Sequence, residues 1–177
     1  MKTVVNFAAF QIGWFAAVLG PGNGIPWLGL VVVPLVLLVN LLMTDNWRRE
    51  LILALVAAAM GFVFDTAMTA AGAFRPVPFL WPAPFSPPWI MMLWVNQATT
   101  LNACMGWLRQ RYLFGAVFGA VGGPLAYLSG AKLGAAALPS TQGMLMLAIG
   151  WGLAFPALLG LAELAREFTS GRRSPRS

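Results

Sequence analysis

Histidine is absent from this sequence, cysteine occurs once (Cys104), and only 9% of the residues are charged. Each shortage excludes something. Without histidine there is no Ser-His or Cys-His nucleophile pair, no histidine-ligated haem and no Glu-x-x-His carboxylate metal motif. A single cysteine forms no intrachain disulfide. No zinc, Walker or dinucleotide signature occurs either, so the pattern predicts neither a metal nor a cofactor. Soluble domains carry about 25% charged residues. This chain of 177 residues is 59% hydrophobic and lacks the charge to cover a soluble surface. Its net charge of +6 comes from basic residues at the ends of apolar runs. That placement is an orientation signal, and no nucleic-acid partner is expected.

What is present is a series of long apolar runs. They predict an all-α integral membrane bundle of six transmembrane helices in one domain, residues 1–168, with a basic tail over 169–177. The spans fall at about 4–19, 26–43, 51–71, 88–108, 112–130 and 143–165. Lys2 followed by an apolar run also has the form of a signal peptide, but Asn6 and Gln11 interrupt that run. Six spans put both termini on one side with Lys2, Arg48, Arg49, Arg109, Arg111, Arg166, Arg172, Arg173 and Arg176. Arg75 and Lys132 are left on the other. This nine-to-two split predicts cytoplasmic N- and C-termini. Pro34, Pro124 and Pro156 lie inside spans and mark kinks or hinges.

The fourth run breaks the apolar rule. Within PPWIMMLWVNQATTLNACMGWL (Pro87 to Leu108) it carries Asn96, Gln97, Thr99, Thr100 and Asn102. At helical periodicity Trp89, Asn96, Thr99, Thr100, Ala103 and Trp107 share one face. Amides facing lipid lose their hydrogen bonds, so this face points at other helices. The third span offers a partner. Ala54, Ala58, Gly61, Asp65 and Thr69 form its small-residue packing face, which turns Asp65 into the bundle. Depth along the spans sets Asp65 level with Asn96 and predicts a hydrogen bond between them. Arg75 and Lys132 are candidate counter-charges from the outer ends. Gln11 and Asn102 form a second polar level nearer the cytoplasm, with Asn6 and Asn40 beyond. These groups read either as interhelical clamps or as a site for a proton or ligand. Asp65, Asn96, Thr100, Gln11 and Asn102 are the candidate residues, and none is a catalytic nucleophile with its base.

Two further stretches stand out. Gly115, Gly119 and Gly123 recur at four-residue intervals, a close-packing face that fits a homodimer contact. The stretch from Gly72 to Pro88 holds six prolines together with Phe74, Phe79, Trp81 and Phe85. That density predicts extended polyproline-like chain at the membrane surface, either a plain loop or a lid over a cavity.

Seven elements together carry a family resemblance: NFAAFQIGW (Asn6 to Trp14), PWLG (Pro26 to Gly29), RREL, the Asp65 span, PPWIMMLWVNQATTLN (Pro87 to Asn102), GGPLAYLSGAKLGA (Gly122 to Ala135) and the Gly-Trp of span six. The chain resembles the bacterial membrane proteins of domain of unknown function 2878. The resemblance implies a small polytopic inner-membrane protein and transfers no catalytic residues. Three functions stay open at this point. The first is binding or handling of a lipid or small amphiphile in an intramembrane polar pocket of Asp65, Asn96 and Thr100. The second is a small proton-coupled transporter using Asp65, with Pro124 as hinge. The third is a structural or assembly subunit in which the polar residues are only clamps.

Overall fold

The computed structural model describes residues 2–170, so the predicted basic tail lies outside the described residues from 171 onward, with Arg172, Arg173 and Arg176. Six α-helices make up the fold: α1 (Lys2–Gly22), α2 (Leu28–Met43), α3 (Trp47–Ala70), α4 (Pro88–Leu101), α5 (Tyr112–Lys132) and α6 (Thr141–Ser170). Four of them, α1, α3, α5 and the Thr141–Phe168 part of α6, are long and apolar enough to cross a membrane. α2 is a shorter apolar helix. The elements are those of an all-helical membrane protein. Pro34, Pro124 and Pro156 each sit inside an unbroken helix.

Local chemistry sets the helix boundaries. Asn46 caps α3 by accepting the Arg49 N–H at 3.1 Å, which starts the helix at Trp47 inside the expected polar loop. Pro87 is extended and Pro88 opens α4, where its missing N–H costs nothing. α4 then stops at Leu101, short of the Leu108 expected from the apolar run. At about 1.5 Å per residue it is ~21 Å long, less than the ~30 Å of a hydrocarbon core. Thr99 and Thr100 turn their hydroxyls back onto the carbonyls of Asn96 (2.7 Å) and Gln97 (2.6 Å), an alternative to helix propagation. The chain winds into turns that end in a 3-10 turn at Gly106–Leu108, and Trp107 is exposed there instead of on the α4 face.

Neighbouring helices take up the groups this early ending frees. Asn6 of α1 donates to the Thr99 carbonyl (2.9 Å) and to Asn40 Oδ1 of α2 (3.2 Å), and accepts the Cys104 N–H (3.3 Å). Asn102 donates to Glu50 of α3 at 3.2 Å, and Glu50, buried, also pairs with Arg49 at 2.8 Å. Irregular backbone at membrane depth is tolerated only when protein covers it. Asn102 therefore belongs with Glu50, and the predicted level pairing it with Gln11 does not form. The same contacts show which helix ends coincide. Lys2 Nζ reaches the Met43 carbonyl (3.1 Å) and Arg109 pairs with Glu163 at 3.9 Å. The starts of α1, α3 and α5 thus lie beside the ends of α2, α4 and α6.

At the opposite end α3 and α5 finish alike. Gly72 and Gly134 have φ of 74° and 85°, a region that favours glycine. Ala73 N–H reaches back to the Met68 carbonyl and Ala135 N–H to that of Gly130, both at 2.9 Å, the Schellman pattern. Each turn feeds a two-residue strand, β1 (Arg75–Pro76) and β2 (Ala136–Ala137), and these pair antiparallel. The proline-rich stretch is therefore a clasp between two loops and not a free polyproline segment. Its carbonyls find indole donors: Trp89 Nε1 bonds the Val77 carbonyl (3.0 Å) and Trp81 Nε1 that of Ser86 (2.7 Å). Phe85 stacks over Phe62 of α3, centroids 6.4 Å apart.

α4 is the hub. It packs against α1, α2, α3 and α6, while α5 pairs chiefly with α6. Close approaches need glycine: a Cβ on Gly13 would strike the Asn96 side chain, and one on Gly61 the Trp94 indole. Gly115, Gly119 and Gly123 abut Leu159, Phe155 and Trp151 of α6. The face expected to make a homodimer is therefore filled by α6 of the same chain. The turn through the clasp folds α6 back onto it.

Candidate functional site

Asp65 is fully buried on α3. Its Oδ2 accepts the Trp94 indole N–H at 2.6 Å, and its Oδ1 accepts the Tyr127 hydroxyl. One carboxyl group thus joins α3, α4 and α5. The expected bond to Asn96 does not form. Asn96 and Trp94 are two residues apart and so point ~200° apart around α4. Asn96, equally buried, donates to the Phe10 carbonyl of α1 at 2.9 Å. Arg75 and Lys132, the expected counter-charges, are exposed, and neither bonds Asp65. Arg75 is drawn into β1 opposite Ala137, and Lys132 is the last residue of α5.

Aromatic rings enclose the carboxyl group. Trp94 stacks on Trp151 with centroids 4.7 Å apart and planes at 19°. Phe64 tilts against both indoles, at 5.4 and 5.7 Å, and Phe74 stands edge-on to Tyr127 at 4.8 Å. Gly61 lies against one indole and Gly123 against the other, leaving room for the pair. Such pairs contribute about 0.5–1.5 kcal/mol each beyond area burial.

Trp94 and Tyr127 also face a cavity of about 430 Å³ that Asp65 itself does not line. Its walls come from α1, α4, α5 and α6, and along α1 it runs from Phe7 to Val18, about 16 Å at 1.5 Å per residue. Among the described residues no lining side chain is charged, and most are aromatic or aliphatic. Gln11 and Gln97 bring the carboxamides, Tyr127 the hydroxyl. Phe74, Ala135 and Ala136 of the clasp region close one end. There α1 and α5 meet: Gly22 abuts Leu133 and Gly134, and a Cβ on Gly130 would lie 3.8 Å from Val18. Farther along no extended interface joins the two helices, and Phe7, Phe15 and Phe118 are exposed beside the cavity. The cavity opens sideways, between α1 and α5.

The candidate residues therefore divide. Gln11 lines the cavity. Asp65 stands behind two lining side chains. Asn96 and Thr100 are fully buried between helices, and Asn102 belongs to the Glu50 cluster. Trp94, Gln97 and Trp151 are cavity residues that sequence reasoning missed. Gly61, one turn before Asp65, was a signal: a missing side chain on a packing face marks where a large one from another helix enters.

No curated protein and no solved structure matches the chain. A family model described as a protein of unknown function (DUF2878) matches residues 3–157, a range that contains every residue lining the cavity. The chain belongs to the DUF2878 family.

Proposed function

We propose that this protein takes up a lipid or other amphiphile from the bilayer into the cavity between α1, α4, α5 and α6. The sideways opening carries the reading. In a membrane, the gap between α1 and α5 faces acyl chains, and an uncharged aromatic slot is what an apolar ligand fills. The pocket differs from one made of Asp65, Asn96 and Thr100, since those groups sit within its walls. Native mass spectrometry of the protein released from mild detergent tests this. The wild type should retain a lipid that the cavity-filling variant Gly122→Phe does not, and equal retention by both would remove the proposal.

The reading includes an orientation: six crossings in a bacterial inner membrane with both termini cytoplasmic. It draws support from the nine-to-two split of basic residues and from the helix ends that Lys2, Asn102 and Arg109 bring together. α4 would complete its crossing through the turns from Asn102 to Arg111. A fluorescent-protein fusion to the C-terminus should glow, and an alkaline phosphatase fusion there should be inactive. The reverse pattern would invert the topology. The proton-site reading of Asp65 has in its favour a buried carboxyl group bonded to no cation among the described residues. Against it, Trp94 and Tyr127 stand between that group and the cavity.

A further inference from the structure

The proposed function leaves the polar part of the ligand unspecified, and the cavity's own polar groups bear on it. Asn96 Nδ2 bonds the Phe10 carbonyl and Asn6 the Thr99 carbonyl, so α1 and α4 run antiparallel with residues 10 and 96 at one height, and Gln11 and Gln97 step from it in opposite directions, ~3 Å apart along the helices. Both line the cavity. The Gln11 carboxamide makes no side-chain hydrogen bond among the described residues, leaving both its donors and its acceptor unused within the protein. Gln97 Nε2 donates to Thr100 Oγ1 (3.1 Å) and Met105 Sδ (3.2 Å), and its side-chain oxygen receives no donor among the described residues. Two carboxamides close in height thus interrupt a slot that is mostly apolar, its Tyr127 hydroxyl being taken up by Asp65.

From this we infer that the cavity selects a neutral lipid, one whose polar part is a hydroxyl or carbonyl group placed between Gln11 and Gln97 with its chain along the aromatic slot. The inference rests on the proposed function. An ionised carboxylate or phosphate at this depth would have no cation on the cavity wall and would lose its hydration uncompensated. A hydroxyl or carbonyl, by contrast, finds in carboxamides both N–H donors and C=O acceptors. An entirely apolar ligand would leave the Gln11 amide unpaired, a cost that a hydroxyl or carbonyl removes.

The cavity reports on its own contents, because Trp14, Trp89, Trp94 and Trp151 all line it. Bromine quenches indole fluorescence on contact. Dibrominated stearyl alcohol and dibrominated stearate share a chain and differ in head group, and they serve as probes for the full-length protein in nanodiscs. Measurements are made at a pH where the stearate is ionised. The alcohol should quench saturably, with an affinity at least about ten-fold above that of the stearate. Gly122→Phe should remove the saturable component. Gln11→Leu combined with Gln97→Leu should weaken alcohol binding about ten-fold, the worth of one or two neutral hydrogen bonds, with little change for the stearate. Saturable quenching that depends on Gly122 but is equal for both probes, or stronger for the stearate, would overturn the neutral-lipid inference and leave the pocket standing. Alcohol binding unchanged in the double variant would overturn it too. If neither probe gives quenching sensitive to Gly122→Phe, the proposed function itself fails, and this inference with it.

Discussion

Asp65→Ala should destabilise the bundle by roughly 2–6 kcal/mol, because it orphans two donors at once, at about 1–3 kcal/mol each. The Trp94 indole can only donate, and in the native structure it and the Tyr127 hydroxyl both give their protons to this carboxyl group. Among the described residues no other acceptor is bonded to either group, and the surrounding rings of Phe64, Phe74 and Trp151 supply none. Asp65→Asn should cost much less. Its amide oxygen still accepts from Trp94, and its amide N–H can donate to the Tyr127 oxygen once the hydroxyl turns away. Thermal unfolding in one detergent, with abundance in membranes beside it, reads both variants. If Asp65→Asn proves as damaging as Asp65→Ala, the carboxyl group does something a carboxamide cannot, and the reading of Asp65 as a clamp fails. If both behave as wild type, the three-helix junction contributes no stability.

The second large effect is on binding. Gly122→Phe should abolish retention of a co-purifying lipid while leaving the unfolding temperature unchanged or raised. Gly122 lines the cavity, and a Cβ built on it meets only Phe118 Cε1, 3.9 Å away. A ring added there grows into the empty slot. A glycine in a helix interior is about 1 kcal/mol less favourable than alanine, so α5 is not weakened by losing this one. Gly123 is the contrast, one residue along. Its Cβ would fall on the Trp151 ring, so Gly123→Phe should unfold the α5–α6 seam rather than fill a pocket. A Gly122→Phe protein that is stable and still carries the wild-type lipid would place that lipid elsewhere.

Faces were legible in the sequence, and their partners largely were not. Of the stripe Ala54, Ala58, Gly61, Asp65 and Thr69, the spacing holds for Ala54, Gly61 and Asp65, which are buried, while Ala58 and Thr69 are half-buried, and the α5 glycines do make a close-packing face. Periodicity gives an angle around one helix, however, and says nothing of which neighbour fills it. Depth alone therefore pairs Asp65 with Asn96, whereas Trp94, ~200° away on the same helix, takes the bond. The glycine face fits a second copy by spacing alone, yet it packs on α6. Hydropathy carried span four on to Leu108 because Ala103, Cys104 and Met105 are apolar enough. What holds the helix end in place is long-range as well as local, since Asn6 and Glu50 bond the turn that follows the Thr99 and Thr100 back-bonds. The cavity was the least visible feature. It exists because α1 and α5 fail to meet along most of their length, and the absence of a contact leaves no pattern in either helix.

The most direct test of the sideways opening uses membranes, not detergent. A diazirine-bearing fatty alcohol is photolysed in native vesicles containing the protein, and the adducts are mapped by peptide mass spectrometry. The account predicts adducts concentrated on the cavity-lining segments of α1 and α5, around Phe7 to Phe15 and Phe118 to Tyr127, and lost in Gly122→Phe. Adducts spread evenly over the outward faces of α2, α3 and α6, and indifferent to Gly122→Phe, would contradict it.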